Sequence, residues 1–178
     1  MMKQPTDKLQ VNIWGMLLAV VGLGLAVVFL TIAFSAQDAL WFQKGFAERP
    51  QRIVIYWTGE RTELTAGQPG FDLLAEAVQA SLAQGVTRPS GIGLSEGSLQ
   101  DAYNLYVTVE VFFDHPVKLH AGFNTGQPTQ MLFPITGRHS DLNVVFLGWD
   151  GQYMAGGPVL TTTESIRGAL RALGYLQE

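Results

Sequence analysis

Apolar and polar positions follow two different rules along this chain. From Ile13 to Phe34, IWGMLLAVVGLGLAVVFLTIAF, 22 residues pass without a charge, and Thr31 is the only hydroxyl or amide side chain. At about 1.5 Å of helical rise per residue the stretch is about 33 Å long, enough to cross a hydrocarbon core of about 30 Å. Backbone polar groups in lipid must be satisfied within the segment, so this pattern predicts a membrane-spanning helix. Beyond it, apolar positions recur at spacings of two or of three to four, as in half-buried strands and helices.

The competing reading of the N-terminus is a cleavable signal peptide, with Lys3 and Lys8 as its basic region and Ala33-Phe34-Ser35 as a small-x-small site. Signal cores run about 7–15 residues, shorter than this one. Trp14 before the span and Trp41 with Phe42 after it suit the two membrane interfaces, which favours a retained anchor. Basic residues flank both sides, Lys3 and Lys8 before and Lys44, Arg49 and Arg52 after, so charge discriminates orientation weakly. The short cationic tail is placed in the cytoplasm and the domain outside it, in the cell membrane.

Gly15, Ala19, Gly22 and Ala26 fall on one helical stripe where another helix would approach closely, either a copy of this chain or another membrane protein. Gly and Ala are frequent in membrane helices in any case. The expected organisation is a tail over 1–12, the span over 13–34, a connector over 35–50 and a domain over 51–178.

In the connector, Asp38–Phe46 is compatible with a prolonged helix that Pro50 ends. Arg52–Trp57 reads as a strand, Thr58-Gly59-Glu60 as a turn and Arg61–Thr65 as a returning strand. Phe71, Leu74, Ala75, Val78 and Leu82 mark a helix after Pro69, ending near Gln84-Gly85. Residues 85–100 form the longest irregular stretch. Leu105–Phe113 alternates cleanly as a strand, with Val117–Ala121 returning as its neighbour. Met131–Thr136 is a strand that Pro134 demotes to an edge or a bulge. Asn143–Leu147 is apolar on both faces, and Asp150-Gly151 signals a hairpin. Thr161-x-x-Glu164 has capping-box spacing before a last helix on Ile166, Ala169, Leu170 and Leu173, which Gly174 ends. The order predicts an α+β fold: one transmembrane helix, then a two-layer domain with a mainly antiparallel sheet and two packed helices.

Charge narrows the partners. Residues 45–178 hold eight Lys/Arg against thirteen Asp/Glu, a net of −5, which argues against nucleic acid and against peripheral docking on anionic lipid. The absence of cysteine excludes disulfides, thiolate metal sites and cysteine nucleophiles.

Candidate chemistry is sparse. Gly93-Leu94-Ser95-Glu96-Gly97 matches the G-x-S-x-G pattern of a hydrolase elbow, but Thr87-Arg88-Pro89-Ser90-Gly91 stands where a buried strand should precede it, so a glycine-rich loop is the simpler reading. His115, His120 and His139 lack metal-ligand spacing. His139 and Asp141 would share a face only if they lay on a strand, and solvated imidazoles are the default. No cofactor is implied. Glu110 interrupts an apolar strand; if its face is covered it needs a partner such as Lys118 or Arg138. Tyr106, Phe112, Val145, Leu147 and Tyr153 fall on expected outer faces, where they would either lie under the long loop or meet another protein. These observations lead to a single-pass membrane protein whose domain works by protein–protein interaction, as an accessory or assembly subunit and not an enzyme. The alternatives are a membrane-tethered small-ligand or sensory domain with the 85–100 loop as its mouth, and a serine hydrolase using Ser95.

Overall fold

The computed structural model describes residues 12–177. The basic residues Lys3 and Lys8 of the expected tail lie outside the described residues. The first element, α1 (Ile13–Ala36), is capped at its start by the Asn12 side chain, which accepts from the Gly15 N–H. It ends two residues later than the apolar run. Gln37 takes the left-handed conformation (φ 53°), its N–H reaches Phe34 O, and the Asp38 N–H reaches Ala33 O at 3.0 Å. That αL closure satisfies the last carbonyls and stops the helix. Asp38–Phe46 therefore does not prolong it.

Then follow β1 (Arg52–Trp57), β2 (Glu60–Thr65), α2 (Phe71–Ala83), β3 (Val86–Pro89), α3 (Glu96–Asn104), β4 (Val107–Phe112), β5 (Gln130–Pro134), β6 (Phe146–Trp149), β7 (Gln152–Tyr153), β8 (Pro158–Leu160) and α4 (Glu164–Ala172). The fold is α+β. Six strands form an antiparallel sheet in the order β2-β1-β4-β5-β6-β7, and β3 pairs with β8 beside it. The two-residue turns at Thr58-Gly59 and Asp150-Gly151 both have positive φ at both positions, the geometry that matches strand twist.

On one face Ile53, Ile55, Val109, Val111, Met131, Phe133 and Leu147 pack under α2 and α4. The stripe Phe71, Leu74, Val78 and Leu82 faces them from α2, and Ile166 and Leu170 from α4. The capping box expected at Thr161 and Glu164 does not form. Thr162 Oγ1 accepts from the Glu164 N–H, while Thr161 donates to the Gln84 and Gly85 carbonyls. Gly174 (φ 84°) terminates α4 as expected, with the Tyr175 N–H returning to Leu170 O.

Four expectations are corrected. Val117–Ala121 is not a strand: β4 is already paired on both edges, by β1 and β5. Pro134 does not make β5 an edge. Pro134 pairs with Thr108 of β4, and pairing with β6 stops at Leu132, so the missing N–H falls on the side where no strand runs. Val145 and Leu147 belong to the main core, fully buried, and Val144 and Phe146 take the opposite face. Residues 85–100 are not one irregular loop, since β3 and the start of α3 lie in them.

The second face of the sheet is covered too. Leu99 and Tyr103 of α3, with Ile92 and Leu94, pack on Leu132, Val144 and Phe146. The two helices expected in one layer are there, and a third closes the opposite side.

Candidate functional site

Covering the second face traps Glu110 at 4% exposure in the middle of β4. A carboxylate so placed needs donors. They are three tyrosine hydroxyls: Tyr56 from β1 donates to Oε2 at 2.9 Å, Tyr103 from α3 donates to Oε1 at 3.2 Å, and Tyr153 from β7 also donates to Oε1. Tyr56 and Tyr103 stack with ring centroids 4.2 Å apart. Tyr153 reaches the carboxylate because its cross-strand neighbour is Gly148, where a Cβ would lie 3.0 Å from the ring. Burial and then the Glu110 charge push the Tyr56 phenol up to about 12, and the same two causes raise Tyr103 and Tyr153. Neither expected partner is used. Lys118 donates to Gln37 O and Arg138 to Ser98 Oγ.

Ser95 begins α3. Its Oγ accepts from the Ser98 N–H at 3.2 Å and donates to Ser98 Oγ at 3.0 Å, an N-cap. Its backbone is extended (φ −71°, ψ 159°), not the strained turn of a nucleophile elbow, and no imidazole bonds to it among the described residues. Ser95 and Tyr153 line a cavity of about 340 Å³ with Gly93, Leu94 and Ala155.

The remaining expected residues scatter. Tyr106 is half-buried over Gly137, where a Cβ would clash at 2.2 Å. Phe112 lies beneath the Arg52 guanidinium, 3.7 Å from the ring centroid. With Tyr153 on Glu110 and Val145 and Leu147 in the core, the five do not form one surface. His139 and Asp141 flank Ser140 in a 3₁₀ turn instead of sharing a strand face. Among the described residues no three His, Asp or Glu side chains gather as metal ligands.

A second set of ties, which periodicity did not disclose, lies at the junction between α1 and the domain. Ala36 is buried. Lys118 Nζ donates to Gln37 O at 2.7 Å, Asn124 donates to the Gln37 side chain at 3.1 Å, and His120 Nδ1 meets Asp38 Oδ2 at 2.7 Å. A cation at Lys118 also complements the negative end of the helix dipole. The connector engages the domain again from Phe46 onward. Phe46 packs edge-on against Phe113, Gln79 donates to Ala47 O, Glu48 meets His115, and Arg49 pairs with Asp72. Meanwhile α1 is exposed from Ile13 to Val28, and Gly15 and Gly22 meet no described residue beyond the helix and its cap; Ala19 and Ala26 lie on the same exposed stretch.

Compared with protein-family models, with curated proteins and with solved structures, the chain matches nothing in any of the three. Near its N-terminus it has one helix long and apolar enough to span a membrane, compatible with an anchor or a signal sequence.

Proposed function

We propose that α1 is a retained single-pass anchor and that the domain acts outside the cytoplasm by protein–protein contact, as an accessory or assembly subunit of a membrane complex. The observation that supports this is the dock of α1 on the domain through Lys118, His120 and Asn124. A tethered catalyst or scavenger works on a loose linker. A subunit that must meet a partner in the same membrane benefits from fixed orientation. Cleavage after Ser35 would also sever α1 from the residues that cap and dock it. The small-residue stripe supplies the contact face within the membrane, toward a second copy or another helix. In this reading the domain binds and does not catalyse.

Purification of the full chain from native membranes in mild detergent tests it. A stoichiometric second membrane chain, or a self-association lost on Gly22→Leu, is expected. A monodisperse monomer with no companion overturns the reading. Protease protection reports orientation: the domain should be digested from the outer face and the tail spared.

The cavity beside Ser95 and Tyr153 supports a second reading, a small-ligand module beneath the 85–100 segment. That reading requires a thermal shift with some compound that Tyr153→Phe abolishes. A fluorophosphonate probe that leaves Ser95 unlabelled disposes of the hydrolase alternative.

A further inference from the structure

Where α1 meets the domain, two cavities adjoin. One is an apolar groove of about 440 Å³ along the last turns of α1, lined by Phe29, Leu30, Ala33 and Phe34. The other is a cleft of about 500 Å³ between the connector and the domain, lined by Lys44, Lys118 and His120 over a floor that includes Phe46 and Ala83. Two hydrogen-bonded pairs cross the border between them. His120 and Lys118 line the cleft, while their partners Asp38 and Gln37 line the groove. An apolar trough thus leads into a cleft that carries Lys44 and Lys118, with Glu48 on its lining, at the end of a helix of membrane-spanning length.

We propose that this junction binds one anionic phospholipid, with acyl chain along α1 and phosphate between Lys44 and Lys118. The proposal rests on the reading of α1 as a membrane anchor. The domain carries a net of −5, so diffuse attraction does not account for it; two lysines with free donors, Lys44 and Lys118, do. The carboxylate on the cleft lining, Glu48, meets His115 at 3.1 Å, and Asp38, on the groove side, meets His120 at 2.7 Å. Lys44 has no carboxylate partner among the described residues. Lys118 uses one of its three N–H donors on Gln37 O, which leaves two for a phosphate. Trp41, in the same turn, suits a headgroup level. A helix seated in the groove would leave the cleft beside it unfilled, whereas a phospholipid occupies both, acyl chain in the groove and headgroup on the lysines of the cleft.

The test uses the full chain in phosphatidylcholine nanodiscs doped with phosphatidylglycerol, with retained lipid identified by native mass spectrometry. The chain is first scored for recovery in the carbonate-washed membrane pellet. Phosphatidylglycerol should be retained about tenfold over its bulk share, as one or two lysines near the surface allow. Lys44→Glu, an exposed change, should bring retention close to the bulk share, and Lys118→Arg should preserve it. Equal retention of the two lipids by a pelleted chain overturns the lipid site and leaves the anchor standing. Absence from the pellet overturns both. Stabilisation by soluble glycerol phosphate without lipid preference assigns a free phosphate ligand, and a protein chain retained in place of lipid assigns a helix; either overturns the proposal.

Discussion

Asp38, one residue past the cap of α1, and His120, in the segment after β4, lie 82 positions apart in sequence and share a 2.7 Å hydrogen bond. The contact joins the apolar helix to the folded domain at a point where the Asp38 side chain is only 8% exposed. Burial raises its carboxyl pKa, but hydrogen bonds from His120 and the Leu40 N–H outweigh that and hold it below the ordinary 3.8.

Asp38→Ala and His120→Ala should therefore loosen the junction while leaving the domain folded. Hydrogen exchange should rise across Gln37–Ala47 and stay unchanged in β4 and β5. A double-mutant cycle should give a coupling of about 1–2 kcal/mol. Because the folded pKa of Asp38 is lowered, its contribution is complete above the unfolded value and lost as pH falls below about 4. Exchange at the junction should rise in that window first.

Glu110→Gln replaces one of two acceptor oxygens with a donor that faces tyrosine hydroxyls. The urea midpoint should fall by the equivalent of about 2–3 kcal/mol, and Tyr103→Phe or Tyr153→Phe by about 1–2 kcal/mol each. The raised phenols bear on alkaline stability. Between 10 and about 12 the folded chain keeps the Tyr56 proton that the unfolded chain releases, so stability falls as pH rises through that window. Absorbance at the phenolate band should show these tyrosines ionising only as the chain unfolds.

Two histidines should titrate on opposite sides of 6.5. The hydrogen bond to Asp114, opposed by desolvation and aided by Glu48, raises His115. Its small contribution is complete below the unfolded value and lost as pH climbs through the folded one. Burial and then the charge of Arg138 lower His139, which packs edge-on against Phe146. Its neutral form is favoured, so stability drops as pH falls through 6.5. Proton chemical shifts of the imidazoles check both, and Glu48→Gln should lower only the His115 midpoint.

Gly157→Ala should destabilise strongly, by about 2–3 kcal/mol, because a Cβ there would sit 2.2 Å from Val145 O. That backbone cannot yield. The Val145 N–H bonds Pro158 O, which joins the small sheet to the large one, and the Ser90 N–H bonds Gly157 O within the small sheet. Thermal denaturation of the variant is the measurement.

Local periodicity carried much of the fold. Leu105–Phe113 alternates so regularly that β4 and the faces of Val109 and Glu110 were legible, and the 3.6-residue stripe from Phe71 to Leu82 gave α2. Where both faces of a strand are apolar the phase is lost, and a slip of one residue exchanges Val145 and Leu147 for Val144 and Phe146. In α3, Glu-Gly-Ser-Leu-Gln-Asp-Ala-Tyr-Asn offers only Leu99, Ala102 and Tyr103 as an apolar stripe, and two glycines around Ser95 imitate an elbow. The partners of Glu110 are 54, 7 and 43 positions away, beyond any local pattern. The one available signal was a carboxylate on an apolar strand with tyrosines on other elements. Nor does the sequence show that the connector is docked, since the His120–Asp38 pair spans most of the domain.

The left-handed turn at Gln37 fixes more than the end of a helix. With no slack between α1 and the domain, the azimuth of one sets the azimuth of the other. The side of the helix that bears Gly15, Ala19, Gly22 and Ala26 points in a constant compass direction relative to the sheet. Adding one residue between Ala26 and Ile32 would swing the domain by about 100° around the helix axis. Deleting one would swing it back the other way. Any neighbour gripping that stripe would therefore choose which side of the domain it faces.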